Sequence, residues 1–219
     1  MIKHYIFRVM DERMYLILEE GAKEAIVIDP YEEEEAFKEL EGYEKIFILL
    51  THHHFDHISG VNALKNRFDC EVICTEACGK IICSPDNGSH RFPFLFMNDR
   101  DTFHYVRDHY ELPYTCTADT VFSGEMKLEA AGHDFYLMEM PGHSISCMMI
   151  MMDGKYLFTG DNVLGNGREL AFPDACKEEY KSIVMPYLKS LECTDVKIMP
   201  GHGDENTVEY FLKLIREYI

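Results

Sequence analysis

The sequence predicts an α+β fold in which two mixed β-sheets pack face to face with helices on the outside. Three observations carry that prediction. Short apolar strands recur in both halves of the chain, helical periodicity separates several of them, and an irregular stretch at 84–119 divides the halves. At 219 residues the chain suits one domain over 1–219 with a sizeable core.

In order along the chain, HYIFRVM and MYLILEE alternate apolar and polar residues around the turn DER and predict an opening hairpin. KEAIVIDP supplies a strand that ends in Asp-Pro. EEEEAFKEL is helical, its acidic run a solvated face. KIFILLT is a continuous apolar run of the kind buried on both faces. THHHFDH follows it directly, and ISGVNALKNRF then has helical spacing. EVICT reads as a strand and EACGKII as the start of a helix. Residues 84–119 mix turn formers with too many Phe and Tyr for a disordered linker. They are read as an aromatic-rich insertion, either a lid over a cleft or a packing element against the body or a second subunit of a homodimer. The strands EMKLEAA, HDFYLMEM, ISCMMIMM and KYLFTGD follow. A helix near 175–191, the strand VKIMP and the helix NTVEYFLKLIREYI close the chain.

Charge and composition exclude several function classes. A net charge of −18 repels phosphate backbones, so nucleic acid is not expected as a partner. The chain contains no apolar run long enough to span a membrane, and its opening residues lack a secretory pattern, so a cytoplasmic protein is expected. Eight cysteines lie mostly inside apolar runs such as CEVICTEACGKIIC and are expected to be free thiols in a reducing compartment. Cys70, Cys74, Cys78 and Cys83 fall on a strand and a helix that aim them in different directions, which argues against a four-cysteine metal site.

THHHFDH places four imidazoles and a carboxylate within seven residues. In extended chain His52 and His54 point to one side and His53 to the other, so His53 is not expected to be a ligand. Asp56 and His57 open the next helix, turned toward the same mouth. Three later fragments share one grammar, an apolar strand ending in a turn that carries a metal-competent group. YLMEMPGHS ends at His143, KYLFTGD at Asp161 and VKIMPGHGD at His202.

On these residues the chain resembles the metallo-β-lactamase-fold hydrolases, in particular their single-domain, glyoxalase II-like branch. THHHFDH matches the whole HxHxDH signature. The resemblance implies an αββα four-layer sandwich with a two-metal site on one edge. It implies His52, His54 and His143 around one ion, Asp56, His57 and His202 around a second, and Asp161 bridging both. Imidazole and carboxylate together suit zinc foremost, and also iron or manganese. The implied chemistry is attack by a hydroxide shared between the ions, oriented by Asp56, on a small-molecule thioester or related ester. A thiolate leaves without a proton, which suits a site with no evident general acid. Alternatives on the same scaffold are a persulfide dioxygenase with one iron, a lactonase and a phosphodiesterase, the last disfavoured by the acidic charge. Little sequence follows PGHGD, so no counterpart is expected of the helical domain that helps glyoxalase II bind glutathione. Arg168, Arg91 and Tyr105 are the candidates for contact with an anionic substrate.

Overall fold

Among the residues described by the computed structural model (1–86, 99–164 and 169–216), two six-stranded sheets organise the chain. The first contains β1 (Ile2–Ile6), β2 (Arg13–Ile17), β3 (Glu24–Ile28), β4 (Lys45–Leu49), β5 (Cys70–Thr75) and β6 (Thr120–Phe122) in sequence order. Its first three strands meander antiparallel, and β3 to β6 are parallel. The second contains β7 (Glu125–Ala130), β8 (His133–Glu139), β9 (Met148–Met152), β10 (Tyr156–Gly160), β11 (Lys197–Pro200) and β12 (Asn206–Thr207). There every pairing is antiparallel except that of β10 with β11.

Alternation along the strands decides what fills each layer. Met148, Ile150 and Met152 of β9 join Tyr15, Ile17, Ile26 and Ile28 between the sheets, while Met149 and Met151 face the other way. The methionine-rich run is therefore a strand clad on both faces. The outer face of the first sheet is covered by α1 (Glu34–Glu39), α2 (Phe55–Ile58), α3 (Val61–Arg67), α4 (Glu76–Ile82) and α5 (Arg100–His109). The outer face of the second is covered by α6 (177–190), which includes a π-helical turn at Tyr180–Val184, and by α7 (Val208–Arg216). The result is the αββα sandwich expected from the sequence. A buried Leu, Ile or Phe in any of these layers contributes about 1.5–3 kcal/mol by burial.

Two details refine the sequence reading. The helix read from ISGVNALKNRF begins only at Val61, after the short turn α2. Gly60 sits between them with its Cα so close to Tyr31 that an added Cβ would lie 2.5 Å from the Tyr31 carbonyl carbon. In the described part of the insertion, α5 sinks Val106 into the outer core of the first sheet. Tyr110 and Tyr114 meet Phe55 edge-on, with ring centroids 5.0 and 5.7 Å away. This part packs against the body. All eight cysteines are free, four of them buried, and Cys83 and Cys193 are exposed. No helix among the described residues is long and apolar enough to cross a membrane.

Candidate metal centre

Five strand ends meet at one edge of the sandwich. β3 ends at Asp29, β4 runs into Thr51 and THHHFDH, β8 leads to His143, β10 to Asp161 and β11 to His202. The pairing of β10 with β11 slips its register between Phe158 and Gly160, and Asp161 follows that irregularity into the cleft. Gly201 is required by close approach, because a Cβ there would lie 2.6 Å from Asp161 Oδ1 and 2.8 Å from His57 Cε1.

One group of side chains, His52, His54, His143 and Asp161, brings a donor atom from each to within 4.8 Å of the others, and Asp56, His57 and His202 form a second such group. Within the first, His54 Nδ1 is 3.1 Å from His143 Nε2. Asp161 belongs to both. Its Oδ2 lies 3.5 Å from His143 Nε2 and 4.0 Å from His52 Nε2, while its Oδ1 lies 3.3 Å from His57 Nε2 and 3.4 Å from His202 Nε2. Asp56 Oδ2 completes the second group at 3.4 Å from His202 Nε2.

Outer contacts fix most of these rings. His57 Nδ1 pairs with Asp29 Oδ2 at 2.9 Å, and Asp29 in turn accepts from the Thr51 amide and hydroxyl. His143 Nδ1 lies 2.8 Å from the Glu169 carbonyl oxygen, and His202 Nδ1 lies 2.9 Å from that of Met10. His52 Nδ1 is 3.1 Å from Thr51 Oγ1. Asn162 holds the turn after Asp161 against the loop of His143, accepting from the His143 amide at 2.8 Å and donating to the Met140 carbonyl at 2.7 Å.

The two groups differ in charge. Burial, with neighbouring imidazoles, pushes the pKa of His52 well below its ordinary value, and burial also lowers that of His143. Burial disfavours charge on His57 too, but Asp161, Asp56 and Asp29 outweigh it and hold its pKa well above the usual value. His202 is half-buried; desolvation disfavours its charge too, but Asp161 and Asp56 raise its pKa to about 11. For Asp161 the same histidines overcome burial and keep the carboxyl well below the usual range.

A metal ion fits this donor set. Nε2 of His52, His57 and His202 and Oδ1 of Asp161 are buried, yet make no hydrogen bond. Such atoms are costly to bury unless something takes their lone pairs or protons. Five of the spacings, at 3.1–3.5 Å, match the edge of a tetrahedron about an ion at zinc–nitrogen distance, about 3.3 Å, while His57 Nε2–Asp56 Oδ2 at 3.7 Å and His52 Nε2–Asp161 Oδ2 at 4.0 Å are wider. Nitrogen and carboxylate donors together suit a borderline divalent cation.

All seven residues singled out from the sequence therefore lie in the cleft. Arg168 and Arg91 fall outside the described residues. Tyr105 is elsewhere: its ring stacks on His109 at 4.3 Å, carries the Arg8 guanidinium at 4.5 Å and packs beside Phe7. These contacts anchor α5 to the body. His53 points away from the cleft, its Nδ1 2.7 Å from Ser146 Oγ. Two acids on the His57 side of the cleft escaped the sequence reading. Asp29 had a signal, a strand ending in Asp-Pro, and no assigned role. Glu12 had none, since it sits in the turn DER, where a glutamate is ordinarily solvated. Here it is wholly buried with both carboxylate oxygens unbonded, Oε1 3.9 Å from His57 Nδ1, and burial lifts its pKa well above the usual range.

The description "Metallo-beta-lactamase superfamily" matches residues 11–202. The chain belongs to that superfamily. A hydroxyacylglutathione hydrolase of Bdellovibrio bacteriovorus is 27% identical over 79% of this chain and 57% of its own length. A hydroxyacylglutathione hydrolase of Chromohalobacter salexigens is 24% identical over 88% of this chain and 62% of its own. The chain thus spans less than two thirds of these relatives. Among solved structures, the B3 metallo-beta-lactamase BLEG-1 superposes with a TM-score of 0.72 at 22% identity, covering 97% of each chain. At that identity the superfamily likeness is one of fold.

Proposed function

We propose that the chain is a metal-dependent hydrolase that holds two divalent ions, zinc foremost, and cleaves a small thioester or related ester. One observation carries the reading: the two oxygens of Asp161 face different histidine groups. A carboxylate shared in this way supports a pair of ions side by side over two independent sites. His52, His54 and His143 would hold one ion, Asp56, His57 and His202 the other, and Asp161 both. When bound, such a pair supplies a Lewis acid and a nucleophilic water at neutral pH.

The chain's own residues do the rest. Asp56, buried at the cleft floor, is placed to accept a hydrogen bond from the attacking water and aim its lone pair at the acyl carbon. Phe172, with its ring 5.4 Å from those of His54 and His143, screens that flank from bulk water. A departing thiolate needs no proton, so a thioester asks for no general acid, whereas amides ask for one. The names of the two bacterial relatives support the thioester class. The net charge of −18 supports a small molecule over nucleic acid, and eight free thiols suit a reducing, cytoplasmic setting.

The test is a rate panel of glutathione thioesters, acyl-CoA thioesters, lactones and a phosphodiester with metal-loaded protein and its His143→Ala variant. Thioester turnover that the variant loses is the expected result. A flat panel at two bound ions per chain would overturn the reading. Oxygen uptake with a glutathione persulfide at one iron per chain would replace it with the dioxygenase alternative.

A further inference from the structure

The five cleft imidazoles are not oriented alike. His52, His57, His143 and His202 turn Nε2 inward, and each has its Nδ1 on a fixed partner outside: Thr51 Oγ1, Asp29, the Glu169 carbonyl and the Met10 carbonyl. His54 is reversed. Its Nδ1 faces His143 Nε2 in the cleft, which sends Nε2, at the far side of the ring, outward. There it meets a carboxylate: Asp174 Oδ2 lies 3.4 Å from His54 Nε2.

Asp174 is itself held from a second side. His53 Nε2 is 3.6 Å from the same oxygen, while His53 Nδ1 and the His53 amide both engage Ser146 Oγ, at 2.7 and 3.2 Å. Ser146, His53, Asp174 and His54 thus form a chain of contacts along the rim. Two residues before Asp174, Phe172 packs on His54 and His143. The segment carrying the acid is therefore seated against the rings that it addresses.

We propose that Asp174 is the positioning residue of the first donor group, with His53 as its strut. A neutral imidazole carries one proton, and the nitrogen that finds an acceptor keeps it. Asp174 draws that proton to Nε2 of His54, leaves the lone pair on Nδ1 aimed into the cleft and fixes the ring's rotation. It thereby sets the affinity of this half for its ion. The proposal rests on the reading of His54 as a ligand, and it gives His53, which the alternation along the strand turns away from the cleft, a role of its own.

The experiment is a chelator-competition zinc titration of stripped protein, comparing wild type with the Asp174→Ala, Asp174→Asn, His53→Ala and His54→Ala variants. Asp174→Ala is expected to weaken one of the two ions by about 10–100-fold, the range for loss of an outer partner of a histidine ligand, and to leave the other unchanged. Asp174→Asn, which keeps an acceptor oxygen, recovers most of that loss, and His53→Ala shows a smaller one. In the zinc-loaded wild type, the His54 imidazole proton sits on Nε2 in the NMR spectrum and exchanges slowly; Asp174→Ala makes it exchange fast. Unchanged affinity for both ions in Asp174→Ala overturns the proposal. So does a third bound zinc that His53→Ala removes, since Asp174 would then be a ligand itself. The His54→Ala variant separates the two levels: if it keeps both ions the metal reading fails, and if it loses one while Asp174→Ala loses none, only the role of Asp174 fails.

Discussion

The two halves of the cleft use the same side chain to opposite electrostatic ends. His52 and His143 are buried with hydroxyl and carbonyl oxygens at Nδ1 and only the Asp161 carboxylate facing Nε2, and burial outweighs it and keeps them uncharged. His57, buried, and His202, half-buried, stand beside Asp56 and Asp161, with Asp29 also at His57, and those carboxylates hold them charged. Burial and Asp161 are common to both, so the further carboxylates of the second half make the difference. A buried imidazole takes its protonation state from what stands within about 4 Å of it. One half is thus preset for a cation to enter, while in the other a cation must first displace protons.

The largest test of this division is its shared wall. Asp161→Asn removes the carboxylate's charge and one of its two oxygens, and is expected to lower ion content in both halves. Turnover should fall by 10²–10³-fold or more, on the order of the loss when one contact to developing charge is removed. Loss of ions from one half only would show that Asp161 serves that half alone.

A second test uses pH. The His202 pKa of about 11 and the raised pKa of His57 mean that both carry protons near neutrality in the metal-free chain. Binding in the second half therefore releases protons, and affinity there should climb as pH rises, by about tenfold per unit for each proton displaced. The first half, with His52 and His143 already neutral, should be flat over the same range. Calorimetry in buffers of different ionisation heat counts the protons; equal release from both halves would erase the distinction.

Asp29→Asn sharpens the comparison from outside the cleft. It weakens the partner of His57 Nδ1 and should cost the second ion about 10–100-fold in affinity, with the first ion unaffected, by chelator competition. The smallest effect on function is expected of Tyr105→Ala. Thermal melts should show a stability loss of about 1–3 kcal/mol from lost packing on Phe7 and Arg8, while turnover stays within about twofold. A tenfold loss of turnover at unchanged stability would return Tyr105 to the substrate.

What the sequence reveals follows from how locally each feature is determined. THHHFDH is legible because strand alternation and the turn into α2 orient its residues within a few positions of one another. The strand ends at His143, Asp161 and His202 are legible because an apolar strand followed by a Gly-containing turn marks where a rigid sheet stops. Glu12 is not, because the turn DER looks solvated until β1, β2 and the loop after β11 close over it. Asp174 is hidden for a similar reason: its partners, His53 and His54, lie about 120 residues upstream, and no periodicity links them. Tyr105 shows the ambiguity of an aromatic in an irregular stretch: the sequence allows a pocket wall or a packing anchor, and only its tertiary contacts to Phe7, Arg8 and His109 reveal the packing. Local chemistry identifies the residues that face the cleft; the residues that aim them are set by tertiary contacts.

The hook between His202 Nδ1 and the Met10 carbonyl, with the bridge between Glu12 and His202, ties the opening loop of the chain to one of its last turns. On the ribosome, THHHFDH emerges roughly 145 residues before His202, about 7–30 s at ordinary elongation rates. Through that interval the nascent chain displays a cluster of bare imidazoles with half of its cage unmade. On the two-ion reading proposed above, tight capture of the second ion requires a chain made at least through His202, and a copy terminated before that residue would betray itself by what it fails to hold.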